Sequence, residues 1–167
     1  MATADVLLII DMQNGVCRYE DQTIGNLGHM IEEINKRIAE YASEKTPVIF
    51  IRHSDTYIKK GSQKWEVLSE LDTSEAECYI DKTHPNAFYQ TNLKEVLDKL
   101  DAHALEICGV ETQYCVDSTV KFAHGLGYAI QMQKGVNSAW DSVQMTGEQT
   151  VRFYEEVWNG SFVTFID

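Results

Sequence analysis

Apolar positions along the chain follow two alternating rhythms. Val6–Ile10 and residues 48–52, 105–108, 128–133 and 162–166 form short, mostly apolar runs. Such runs are too apolar for a sheet with one wet face and predict strands buried on both sides. Between them the spacing changes to three and four. Leu27, Met30, Ile31, Ile34, Ile38 and Tyr41 make a helical stripe, with Glu32, Glu33, Lys36 and Arg37 opposite. Leu93, Val96, Leu97 and Leu100 predict a second helix, capped by Thr91 or Asn92. A third starts near Cys115, with Val116, Thr119, Val120 and Ala123 at helical spacing. Thr146-Gly147-Glu148-Gln149 has the form of a capping box for a fourth helix, which turns Val151, Tyr154, Val157 and Trp158 inward. Residues 54–78 are the least regular and are expected to be largely loop, as a flap or a surface between subunits. Strands alternating with helices predict a three-layer αβα, Rossmann-like fold with a central, mostly parallel sheet. No linker, repeat or low-complexity tract divides residues 1–167, so a single domain is expected.

Composition narrows the partners. Apolar residues make up 44% and charged residues 24%, and the net charge is -12 without any basic run. Nucleic-acid affinity comes largely from Lys and Arg on phosphates, so no nucleic acid is expected. No run approaches the ~18 apolar residues of a membrane span, so no membrane partner is expected either. Residues 1–5 lead into the first strand with no basic segment or cleavage site, which predicts no leader. Cys17, Cys78, Cys108 and Cys115 have no C-x-x-C spacing and read as free thiols of a reducing, cytoplasmic protein. No cofactor is expected. A phosphate-loop motif is absent, and Gly125-Leu126-Gly127 follows a helix and precedes a strand, the wrong order for a dinucleotide fingerprint.

Candidate chemistry gathers where strands end. Cys115 closes the string Gly109-Val110-Glu111-Thr112-Gln113-Tyr114-Cys115 at the start of the third helix. Unpaired N–H groups and the helix dipole favour a thiolate there, so its pKa is expected to fall and the thiol to act as a nucleophile. Cysteine also serves simply as a small buried hydrophobe, and that reading stays open. Asp11 projects past Val6–Ile10, at the edge where open α/β sheets bind ligands, or else caps a turn. Lys82 supplies a fixed charge for an ionised sulfur, or is a solvated surface lysine. His53 ends the second strand, as a substrate contact or as a packed, hydrogen-bonded histidine.

Three blocks resemble the isochorismatase-like cysteine hydrolases, a family that includes nicotinamidases and N-carbamoylsarcosine amidohydrolases. Leu8-Ile9-Ile10-Asp11-Met12-Gln13-Asn14 is similar to its first signature. Lys82 with Ala87, Phe88, Thr91 and Leu93 is similar to its second. Gly109 to Val116, with Thr119, Ala123 and Tyr128, is similar to its third. The blocks stand in family order and span nearly the whole chain. The resemblance implies that Asp11, Lys82 and Cys115 are catalytic and cleave a C–N bond of a small amide or carbamoyl compound through a Cys115 thioester. It implies an oxyanion hole from the backbone N–H groups of Glu111 and Cys115, in a loop shaped by a non-proline cis peptide at Val110–Glu111. Phe88, Tyr114 and His53 are expected to bind substrate, with Trp140 as a further wall and Val16 and Cys17 at the mouth. Nicotinamidases of the family hold a metal near an Asp-x-His pair. Here the segment reads Phe50-Ile51-Arg52-His53-Ser54-Asp55, so no metal is expected and nicotinamide is disfavoured. Relatives imply a homo-oligomer, a dimer or tetramer, acting on a small molecule.

Other readings stay open at this level. Isochorismatase-type vinyl-ether hydrolysis relies on acid from Asp11 more than on the thiol. A non-enzymatic redox sensor would pair Cys115 with a resolving thiol such as Cys17 or Cys108. A third is an interaction scaffold with no activity.

Overall fold

The computed structural model describes residues 3–167; Met1 and Ala2, the start of the expected leaderless N-terminus, lie outside the described residues. In chain order the elements are β1 (Val6–Ile10), α1 (Asn14–Cys17), β2 (Arg18–Tyr19), β3 (Gln22–Thr23), α2 (Leu27–Ser43), β4 (Val48–His53), β5 (Ala76–Lys82) and α3 (Leu93–Lys99). After them come β6 (Ala104–Val110), a π-helical turn (Thr112–Val116), α4 (Asp117–Gly125), β7 (Ala129–Gln133), β8 (Asn137–Ser138), α5 (Gly147–Trp158) and β9 (Thr164–Ile166).

The main sheet runs β5-β4-β1-β6-β7-β9, with β8 also paired to β6, and all its pairings are parallel. From β1 the chain builds outward to β5, returns to the centre at β6 and builds outward the other way. Right-handed crossovers then place α2 on one face and α3, α4 and α5 on the other. The reversal falls between β1 and β6, and a crevice opens there beyond the strand ends. Every residue of β1 is fully buried, as a central strand covered on both faces requires. Each large aliphatic side chain removed from water contributes about 1.5–3 kcal/mol. Among the described residues no helix is long and apolar enough to cross a membrane.

The capping box is present: Gln149 N–H donates to Thr146 Oγ1 at 3.2 Å and Thr146 N–H to Gln149 Oε1 at 2.9 Å. Trp158 is buried while Val151, Tyr154 and Val157 are only half-buried. At α3, Asn92 holds the cap position without a side-chain bond, and Thr91 Oγ1 accepts from Leu93 N–H at 3.3 Å.

Two expectations need correction. Residues 76–82, part of them assigned to the irregular stretch, form edge strand β5. Its exposed and half-buried residues interrupt any apolar run, with only Ile80 and Lys82 buried. The remaining loop is nonetheless pinned. Arg52 lies between the Trp65 and Tyr79 rings, 4.0 and 4.3 Å from their centres, and Gln13 Nε2 donates to the Trp65 carbonyl at 2.7 Å.

Arg37, placed on the wet face of α2, is instead 2% exposed. Its Nε and Nη2 each donate to Glu106 of β6 at 2.6 Å, and Tyr41 Oη and Gln131 Nε2 complete that carboxylate at 3.0 and 2.6 Å. A buried pair with one partner removed leaves an uncompensated charge. Glu106→Ala is therefore expected to cost about 3–5 kcal/mol in urea unfolding, and a loss below 1 kcal/mol would refute this account.

Gly109, beside Ile10 in the β1–β6 pairing, has φ +122, and a Cβ there would lie 2.0 Å from the Ile10 carbonyl oxygen. Gly109→Ala should destabilise by about 2 kcal/mol or more, read as a lowered Tm, because both backbone conformation and strand spacing are violated.

Candidate active site

The crevice between β1 and β6 collects the ends of four strands. Asp11 follows β1 directly and adopts φ 51. His53 ends β4, and in register beside it Lys82 ends β5. Cys115 sits in the π-helical turn beyond β6, after a cis peptide at Val110–Glu111. The turn merges into α4, so the thiol lies within a wound turn before the α-helix rather than on its first regular turn.

These ends converge on one ammonium. Lys82 Nζ donates to Asp11 Oδ2 at 2.7 Å and to Cys115 Sγ at 3.2 Å, and lies 3.4 Å from His53 Nδ1. Lysine carries three N–H donors, and three acceptors surround it. His53 Nδ1 then acts as the acceptor and Nε2 faces Asp55 Oδ2 at 3.2 Å. The ligand-type atoms of Asp11, His53 and Cys115 fall within 4.8 Å of one another, a spacing suited to a metal ion. One atom of each is already turned to Lys82, however, and a second cation would be repelled by the first. In this structure the set surrounds an ammonium.

Gln13 is fully buried and fixes the frame. Its Oε1 accepts from His53 N–H at 2.7 Å while its Nε2 donates to the carbonyls of His53 and Trp65. Asp11 Oδ1 is buried and has no hydrogen-bond partner among the described residues.

Charge balance revises one expectation. Burial opposes the Lys82 ammonium, but Asp11 and the Cys115 sulfur more than offset it and hold its pKa above the usual lysine value. For Cys115 the net effect runs opposite to the lowered pKa expected at a helix start. Burial and the Asp11 charge push the thiol up further than Lys82 draws it down. At rest the sulfur keeps its proton. The candidate resolving thiols are both buried, and burial raises Cys17 to about 12 and Cys108 well above the ordinary thiol value.

A cavity of about 460 Å³ opens over Cys115 and Asp11. His53, Tyr114, Trp140 and Val16 line it, and Tyr114 is 58% exposed. Phe88 does not line it. It packs beneath α4 against Phe122 and Tyr128, with ring centres 5.5 and 6.2 Å away, because the segment after Lys82 turns back into the core. Cys17 is likewise buried behind the wall instead of at the mouth. Sequence reasoning missed the clamp by Gln13, the Asp55 partner of His53 and the side chain of Glu111, which also lines the cavity. His53-Ser54-Asp55, two residues apart at a strand end, was the one available signal.

Fold and site together define a Rossmann-like α/β hydrolase with its cysteine at the strand-order reversal. Residues 5–139 match the family model described as Isochorismatase domain, and the chain belongs to this family of isochorismatase-like cysteine hydrolases. A crystal structure of an isochorismatase family protein superposes with a TM-score of 0.94 at 40% identity, covering 97% of each chain. The secreted isochorismatase effector Isc1 of Verticillium dahliae is 25% identical over 142 residues, 83% of this chain and 68% of that protein. N-carbamoylsarcosine amidase from Thermoplasma acidophilum shares the fold, with a TM-score of 0.79 at 19% identity over 96% of this chain and 94% of its own.

The opposing influences on Cys115 give a signed test. Asp11→Asn removes the charge that keeps the proton on sulfur and should move the alkaline profile of Cys115 alkylation to lower pH. Lys82→Met removes the stabilising cation and should move it higher. Iodoacetamide rates at Cys115, followed by peptide mass spectrometry, measure both shifts; coincident profiles in the three proteins would sink the coupling.

Proposed function

We propose that this isochorismatase-family hydrolase cleaves a C–N bond of a small amide or carbamoyl compound through a thioester on Cys115. The observation that carries the reading is the divided carboxylate of Asp11. One oxygen is tied to Lys82, while the other is buried and unpaired in the same cluster as a protonated thiol. An acceptor held in that state is poised to take a proton.

The chemistry follows from that arrangement. As Sγ bonds to the substrate carbonyl carbon, its proton passes to Asp11 and the Lys82 charge stabilises the sulfur. The carbonyl oxygen becomes an oxyanion, received by the backbone N–H groups of Glu111 and Cys115, where one such donor contributes about 3–4 kcal/mol in comparable holes. The C–N bond then breaks and the leaving nitrogen takes the proton from Asp11. Water attacks the thioester with Asp11 as base, the acid departs, and the thiol regains its proton. His53 positions Lys82 and faces the substrate, and Tyr114 and Trp140 border it. A cavity of about 460 Å³ suits a small molecule better than a polymer. An N-carbamoylsarcosine amidase occupies the same fold, which keeps C–N cleavage within its repertoire.

The test is release of ammonia or amine from a panel of small amides, ureas and carbamoyl compounds. Turnover is expected with the native protein and should fall about a thousandfold or more in Cys115→Ala and Asp11→Asn. Acid quenching should trap an acylated Cys115 by mass. Turnover that survives Cys115→Ala but not Asp11→Asn would instead favour vinyl-ether hydrolysis by acid from Asp11.

A further inference from the structure

Hydrolysis by Asp11, Lys82 and Cys115 uses neither Arg18, Asp55 nor Glu111 of the cavity, and of these three Glu111 alone has no ion-pair partner among the described residues. It stands on the cavity wall four residues before the thiol, as the cap residue of the same turn. Oε2 accepts from Trp140 N–H at 3.4 Å and from Gln113 Nε2 at 3.2 Å. Trp140 is itself fixed, its Nε1–H donating to the Val16 carbonyl at 2.9 Å. The carboxylate is thus held from one edge, and Oε1 has no partner among the described residues. Burial pushes its pKa above the usual carboxylate value more than these two bonds draw it down. A cation in the cavity would supply the missing compensation.

The rest of the wall carries one guanidinium and no ammonium group. Arg18 supplies it, and both terminal nitrogens are engaged, Nη1 with Asn14 Oδ1 at 3.0 Å and Nη2 with Glu70. Lys82 is turned to its own acceptors beneath the floor. Asp55 adds a further negative charge at the rim but is satisfied, taking Tyr57 and Ile58 N–H at 2.7 Å and facing His53. A carboxylate-bearing substrate would meet the acidic groups Glu111 and Asp55 and a single cation, Arg18, already paired with Glu70. A cationic one would find an open oxygen beside the nucleophile, on a protein whose net charge of -12 draws cations toward it.

We infer that the Glu111 side chain determines specificity by binding an ammonium or amidinium group, so the substrate class is small amides that carry a cation a few bonds from the scissile carbonyl. For the reaction this rests on the amide-hydrolase reading; for binding it does not.

The experiment uses Cys115→Ala protein, which cannot turn substrate over, titrated by tryptophan fluorescence because Trp140 lines the cavity. Glycinamide, β-alaninamide and γ-aminobutyramide are compared with the neutral isosteres propionamide, butyramide and pentanamide. At least one amino amide should bind about tenfold or more tightly than its isostere. Adding Glu111→Gln should erase the difference, and Glu111→Asp, which keeps the charge on a shorter stem, should shift the preference to a longer amino amide. Equal binding of charged and neutral partners, or a preference that survives Glu111→Gln, overturns the inference. Hydrolysis of neutral and cationic amides alike, with no binding preference, would remove it and leave the amidase reading intact. Cation-selective binding without hydrolysis of any amide would do the reverse.

Discussion

Burial of the Lys82 ammonium is the constraint around which the site is organised. Taking a cation out of water costs several kcal/mol unless acceptors replace its hydration shell. Those acceptors come from separate places in the chain: Asp11 after β1, His53 at the end of β4 and Cys115 in the turn beyond β6. Satisfying one side chain therefore locks four strand ends into a common geometry. Gln13 strengthens the lock by joining the β1 and β4 ends to the long loop. The same contacts tie the strand ends together and hold Asp11, Lys82 and Cys115 within reach of one another.

A second buried cation shows how a purely structural network differs. Arg37 meets Glu106 with two parallel hydrogen bonds, and Tyr41 and Gln131 supply further donors to that carboxylate. This network fastens α2 to the middle of the sheet, and none of its residues lines the cavity over Cys115. Around Lys82, by contrast, Asp11 Oδ1 remains buried and unpaired, and Gln113 Oε1 nearby is in the same condition. Leaving a buried polar atom unpaired costs stability. At Asp11 that unpaired oxygen belongs to a residue lining the cavity, as the proposed proton acceptor requires.

The resting state follows from the same balance. Asp11 and Lys82 form the ion pair, and burial keeps the proton on Cys115. In the proposed reaction the thiol would ionise only as it attacks, so that proton transfer to Asp11 becomes part of the bond-forming step.

Much of this was legible in one dimension. Continuous apolar runs marked the central strands, threefold and fourfold spacing marked the helices, and Thr146 with Gln149 marked the start of α5. The three motif blocks located Asp11, Lys82 and Cys115, because such residues at strand ends are local features. Elsewhere local pattern misled. Arg37 sits at a polar-face position of α2 yet is buried, since Glu106 lies opposite it from 69 residues away. The β5 edge strand lacks a continuous apolar run, and Phe88 belongs to the core because its segment folds back under α4. The direction of the Cys115 pKa shift and the open oxygen of Glu111 were likewise hidden. By itself, then, the sequence determined most of the elements and which residues are candidates for chemistry, because periodic burial and motif blocks are written into neighbouring positions. Only the tertiary structure decided which charges meet, where protons rest and which acceptor stays free. Those depend on through-space distance and desolvation among residues far apart in the chain.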